Sequence, residues 1–169
     1  MNRPHIDEYS SFYHKYIETV DDDVIDELET QAHAFAEFVK AIPSEKADFR
    51  YAPEKWSVKE LIGHVIDTER IMTYRALRFA RNDSTPLAGF DESSYVSNAH
   101  FSDRSLDDFA EEFNLLRRTN LHFFRSLTEI ELERTGTANG AAISVRALLF
   151  IITGHLNHHR RILTDRYLS

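Results

Sequence analysis

The sequence predicts an all-α fold, a four-helix bundle built in one domain over residues 1–169. Three observations carry that expectation. Four long segments space their apolar residues at alternating threes and fours, the repeat of a helix with one buried face. Serines and acids stand where those segments begin, as helix N-termini require. No stretch alternates polar and apolar cleanly over five residues between turn residues, so strand signals are poor.

The first helix is expected from about Asp22 to Ile42, with Val24, Ile25, Leu28, Ala32, Phe35, Phe38, Val39 and Ile42 on its apolar side. Asp21, Asp22 and Asp23 favour its positive N-terminal end, and Pro43 lies just past its last turn. Before it, Tyr9, Phe12, Tyr13, Tyr16 and Ile17 form a short amphipathic segment that should pack across the bundle. The second helix begins at Ser57, where Ser57 and Glu60 make a capping box, and runs to about Arg81. The third begins at Ser105 and places Leu106, Phe109, Phe113, Leu116, Phe123 and Leu127 on one stripe. The fourth begins near Ser144 and ends around Tyr167. Between the second and third lies a long connection, Asn82 to Arg104, with Pro86, Gly89, Phe90, Tyr95 and Phe101; connections of that length are often lids or binding loops. Thr135 to Gly140 reads as a plain turn region.

Composition narrows the function. The net charge of −8 opposes binding to nucleic acid, which needs a basic face. Arg70, Arg75, Arg78 and Arg81 do cluster, but Glu60, Asp67 and Glu69 are interleaved with them, as on a solvated, salt-bridged helix surface. No apolar run approaches the roughly 20 residues of a membrane span, and no signal-peptide core follows Met1. The absence of cysteine excludes a disulfide scaffold, a thiolate zinc site and a cysteine nucleophile, and it suits a cytoplasmic protein.

The chemistry concentrates in histidines. His155 and His159 are four residues apart, one above the other on one helix face. With His155 at zero and about 100° per residue, Leu148, Ile151, Ile152, His159, Ile162 and Leu163 fall within roughly 80° of it. The pair therefore sits inside the apolar stripe, where each polar ring needs a partner. One divalent metal shared by both satisfies a nitrogen of each. His158 falls about 60° to the side and does not fit the same ion. His64 lies seven residues after Ser57, and His155 eleven after Ser144, so both face the same way from their helix starts. An antiparallel placement of the two helices would add His64 as a third imidazole and leave coordination positions open. His5, His14, His33, His100 and His122 show no partner spacing. There is no Gly-rich phosphate loop, no Gly-x-Ser-x-Gly elbow, no His-Glu-x-x-His and no Glu-x-x-His pair of a di-iron bundle.

Trp56-Ser57-Val58-Lys59-Glu60-Leu61-Ile62-Gly63-His64, with Asp67-Thr68-Glu69-Arg70 after it, resembles the second helix of the DinB-like superfamily, YfiT-type proteins included. Gly154-His155-Leu156-Asn157-His158-His159 through Arg166-Tyr167-Leu168 is similar to that family's fourth helix, and Leu77 to Arg81 and Pro86 to Phe90 match its style. The resemblance covers most of the chain. It implies an up-down-down-up bundle, frequently a homodimer, that holds one divalent ion on His64, His155 and His159. It implies thiol-dependent transferases and isomerases using bacillithiol, mycothiol or glutathione. Related sequences often carry Glu after the first histidine of the fourth helix, where this chain has Leu156.

The resulting expectation is a transferase that joins a low-molecular-weight thiol to an electrophile, since a bound cation stabilises a thiolate at neutral pH. Tyr95 and Phe90 of the lid are the expected substrate contacts, with Arg75 or Arg78 holding a carboxylate of the thiol. The alternatives are a hydrolase with metal-activated water, whose base would be Asp67 or Glu69, and a non-catalytic bundle with a structural metal. Three imidazoles suit zinc, nickel, iron(II) or copper. A dimer would use a second apolar line on the second helix, Ile62, Ile66 and Leu77.

Overall fold

A computed structural model describes all residues 1–169. Its four long helices are α1 (Val24–Lys40), α2 (Val58–Ala80), α3 (Leu106–Arg125) and α4 (Val145–Ile162). Each starts at an anticipated cap. The Asp23 carboxylate accepts from the Asp26 amide, Ser105 Oγ from Asp108, and Ser144 Oγ from Ala147. At Ser57 the box is reciprocal: Ser57 Oγ accepts from the Glu60 amide and the Glu60 carboxylate accepts from the Ser57 amide at 2.7 Å. Helix α4 gives way to a wider π turn at Leu163–Tyr167, so the segment ends where the periodicity ends.

The helices run up, down, down, up. Helix α1 packs on α3 and α2 on α4, both antiparallel, and the parallel neighbours α1·α4 and α2·α3 close the bundle. The long connection between the consecutive, parallel helices α2 and α3 makes this order possible. The apolar core falls into two clusters, one around Phe79, Phe124 and Phe150 and the other around Phe35, Phe109 and Phe113. Between them lie the buried polar residues Gln31, Thr68, Glu69, Arg117 and Asn120, together with the three site histidines.

Three expectations need correction. The turn region before α4 is an antiparallel hairpin, β1 (Thr135–Ala138) with β2 (Ala141–Ser144), in register from Thr135↔Ser144 to Ala138↔Ala141. Its signal was Asn139-Gly140: both residues have positive φ, 52° and 74°, as a two-residue hairpin turn demands. The connection from 82 to 104 contains a helix, Glu92–Asn98, and is tied to the hairpin, where Leu87 donates to Thr137 and accepts from Asn139. Finally, Ile62 and Ile66 are inside the bundle at 0% and 1% exposure, and only Leu77 of the presumed dimer line reaches the surface. The four-helix packing uses two faces of α2, so a second apolar line does not mark a free one.

The N-terminal segment lies across α4 as anticipated. Gly154 makes this possible, since a Cβ there would stand 2.0 Å from the Tyr16 carbonyl oxygen. The close approach buries Tyr16 against the C-terminal half of α4. No helix is long and apolar enough to cross a membrane.

Candidate metal centre

Helices α2 and α4 are antiparallel, so the first turns of α2 meet the last turns of α4. His64 comes from the former, His155 and His159 from the latter. Nε2 of His155 lies 3.1 Å from Nε2 of His64 and 3.0 Å from Nε2 of His159. One ligand atom from each of the three lies within 4.8 Å of the others. Tetrahedral coordination at about 2.0–2.1 Å separates imidazole nitrogens by roughly 3.3 Å, close to these distances.

All three rings are buried, at 5%, 7% and 8% exposure. Burial holds the His64 ring down to about pKa 4. Burial also pushes His155 and His159 well below their ordinary value, and the crowding of the other rings adds to it. The rings are therefore neutral at physiological pH, the form in which imidazole ligates metal. Two Nε2 contacts converge on His155, whose Nε2 has either one proton or one lone pair to offer. His159 Nδ1 is buried with no partner, so no group outside the triad fixes which nitrogen carries its proton. Three lone pairs aimed at one point are satisfied together by a cation. The donor set fits a divalent ion.

The triad forms one wall of a cavity of about 420 Å³, within the range of small-molecule sites. Tyr16 meets His155 edge-on, with ring centroids 5.4 Å apart, and Trp56 lies 4.7 Å from His64. Burial, with the nearby Glu92 charge, pushes the Tyr16 hydroxyl up to about 12, so it remains a donor. A second cavity of about 280 Å³ reaches His159 and Trp56 from the side of Tyr51, Ser93 and Tyr167.

The other anticipated site residues are divided. Arg75 lines the main cavity and is 4% exposed. Arg78 pairs outside with Asp83 and Tyr74. Tyr95 does not line the cavity. Its side chain is 47% exposed and packs on Phe90, which takes the lining position. Neither expected base faces the triad: Glu69 is locked to Arg117, and Asp67 pairs with Arg70. The lining carboxylate is Glu92, at the start of the short helix in the connection. Nothing in the sequence spacing pointed to Glu92, Tyr16 or Trp56, because each arrives from a different segment.

His158 stays outside the cluster of Nε2 atoms and meets Tyr16 edge-on. A sequence profile of the DinB superfamily matches residues 27–163, the span from α1 to the end of α4. The chain belongs to the DinB superfamily. Comparison with curated proteins gives no match. Among solved structures, the chain is similar to Bacillus subtilis YfiT, described as "a probable metal-dependent hydrolase with an unusual four-helix bundle topology". The TM-score is 0.75 at 15% identity, over 97% of this chain and 91% of that one. At that identity the likeness concerns the DinB fold.

Proposed function

We propose that this DinB protein is a metal-dependent enzyme acting on small molecules, with a divalent ion such as zinc, nickel or iron(II) on His64, His155 and His159. The observation that carries the reading is the convergence of three neutral imidazoles on one point in the wall of a cavity. When bound, such an ion supplies Lewis-acid activation of a thiol or of water.

The first reaction class is transfer of a low-molecular-weight thiol to an electrophile. Two spaces meet at His159, one of about 420 and one of about 280 Å³, which gives room for two reactants on either side of Trp56. The one carboxylate on the lining, Glu92, is exposed, so the proton lost by a bound thiol would pass to Glu92 or to solvent. Tyr16, protonated and buried, can donate a hydrogen bond to an electrophile's oxygen.

Hydrolysis is the second reading, and two observations favour it. YfiT bears that description, and Glu92 places one carboxylate on the cavity where it can take a proton from water.

The two are separated on cobalt-substituted protein. A transferase gives a sulfur-to-metal charge-transfer band on adding a small thiol, unambiguous because the chain has no cysteine, and conjugates that thiol to a generic electrophile. Hydrolysis gives ester or amide cleavage without thiol, lost in Glu92→Gln. Neither activity, together with a melting temperature that falls on metal removal, would mean a structural metal.

A further inference from the structure

Four arginines crowd the C-terminal half and end of α2, and three of them are accounted for. Arg70 pairs with Asp67 and Glu112, Arg78 with Asp83, and Arg81 with Glu131. Arg75 is different. It is buried, it faces the cavity, and it forms no ion pair. Its Nη2 donates to the Ala88 carbonyl at 3.0 Å, and its Nη1 reaches only the weak acceptor Met72 Sδ at 3.6 Å. A guanidinium has five N–H donors and cannot shed its charge, so burial without a carboxylate is costly unless something else supplies an anion.

A second polar group on the same wall has no partner at all. Thr68 Oγ1 is buried without any hydrogen-bond partner, and Thr68 lines the cavity at 3% exposure. His64, Thr68, Met72 and Arg75 follow each other at intervals of four, four and three residues, so they form one ladder along α2. The ladder begins at the metal centre and ends at the unpaired cation.

We infer that Arg75 and Thr68 form an anion subsite, and that the natural substrate is an elongated small molecule with a carboxylate or phosphate at one end and its reacting group at the other. Eleven residues of helix separate His64 from Arg75, a rise of roughly 16 Å. Helical side chains at both positions lean toward the N-terminus, so the two ends stay on the order of 10–16 Å apart. Phe90 lies beneath the Arg75 guanidinium at 5.8 Å and offers the substrate's middle an apolar surface. Glu92 on the same cavity is exposed and does not pair with Arg75, so it does not neutralise the subsite. The inference rests on the proposed metal centre only for the position of the reacting end.

Trp56, the one tryptophan of the chain, lines this cavity and reports binding by its fluorescence. The full chain is titrated with 3-phenylpropanoate, with its neutral amide and with inorganic phosphate, with and without zinc. The acid is expected to bind about 10- to 100-fold tighter than the amide. Arg75→Met should bring the two within a few-fold, Arg75→Lys should keep part of the preference, and Thr68→Val should weaken the acid alone. Phosphate binding tighter than the acid would identify a phosphoryl end. Equal binding of acid and amide, a preference that survives Arg75→Met, or no saturable response to any anion overturns the inference. A preference that persists without zinc and in His159→Ala belongs to the subsite; loss of zinc binding with the preference intact overturns the metal reading alone.

Discussion

Glu69 gives both carboxylate oxygens to Arg117, at 2.8 Å to Nε and 2.9 Å to Nη2, and the two side chains are 2% and 0% exposed. Asn120 donates to the same carboxylate, and the remaining Arg117 nitrogen donates to Gln31 Oε1 at 2.7 Å and to the Leu28 carbonyl. Gln31 in turn donates to the Thr153 carbonyl and to Asn157 on α4. One chain of charge-assisted hydrogen bonds thus ties all four helices together between the two apolar clusters. It also removes Glu69 from the chemistry, although Glu69 stands only five residues from His64.

Because the pair is fully desolvated, removing one partner should cost far more than a surface ion pair. Arg117→Leu is expected to destabilise the protein by about 3–5 kcal/mol, with much of the loss recovered in the double variant Glu69→Leu/Arg117→Leu. Urea unfolding measures both. A single-variant loss below about 1 kcal/mol would mean that water reaches the pair.

The histidines divide by geometry. His159→Ala should abolish stoichiometric metal uptake, whereas His158→Ala should keep it, because His158 has no nitrogen at the converging point. Metal analysis of protein purified without a nickel column decides this, and equal losses in both variants would contradict the assigned ligands.

Acid should destabilise the metal-free protein before it protonates carboxylates. The unfolded His64 ring takes a proton near 6.5 and the folded one near 4, so between those values the unfolded chain binds more protons. The stability contribution is complete above 6.5 and is lost as pH falls toward 4, by about 3 kcal/mol for His64 alone. His155 and His159 act in the same direction. Burial alone would raise the Glu60 carboxyl, but Arg50 and the Ser57 amide hold it below its usual range, so it contributes only at lower pH. Urea midpoints between pH 7 and 5 should therefore fall, and His64→Leu should flatten the slope.

Gly154→Ala tests the seating of Tyr16. The added methyl meets backbone, which cannot rotate away, so a loss of about 1–3 kcal/mol is expected. Displacement of the N-terminal segment should also expose the triad, seen as faster release of bound metal to a chelator. Unchanged stability and release would show that the segment is not held by this contact.

The sequence by itself determined the four helices, their caps and the inward direction of His155 and His159. These depend on a repeat within one helix, and the repeat is local. The spacing of four between the two histidines and the box at Ser57 could not mean much else. Asn139-Gly140 is an equally local signal, but it reads as a plain turn region until the pairing of Thr135–Ala138 with Ala141–Ser144 makes it a hairpin. Only the tertiary structure decided what lies opposite those faces. Ile62 and Ile66 look like a spare surface until the bundle closes over them, Glu69 looks like a base until Arg117 reaches it, and Tyr95 and Phe90 are equivalent until the connection folds and one of them turns inward. Arg75 carries the same charge as Arg70, Arg78 and Arg81, and nothing in their spacing singles it out. What separates it is the absence of a carboxylate within reach, a property of its surroundings in space that no periodicity along the chain encodes.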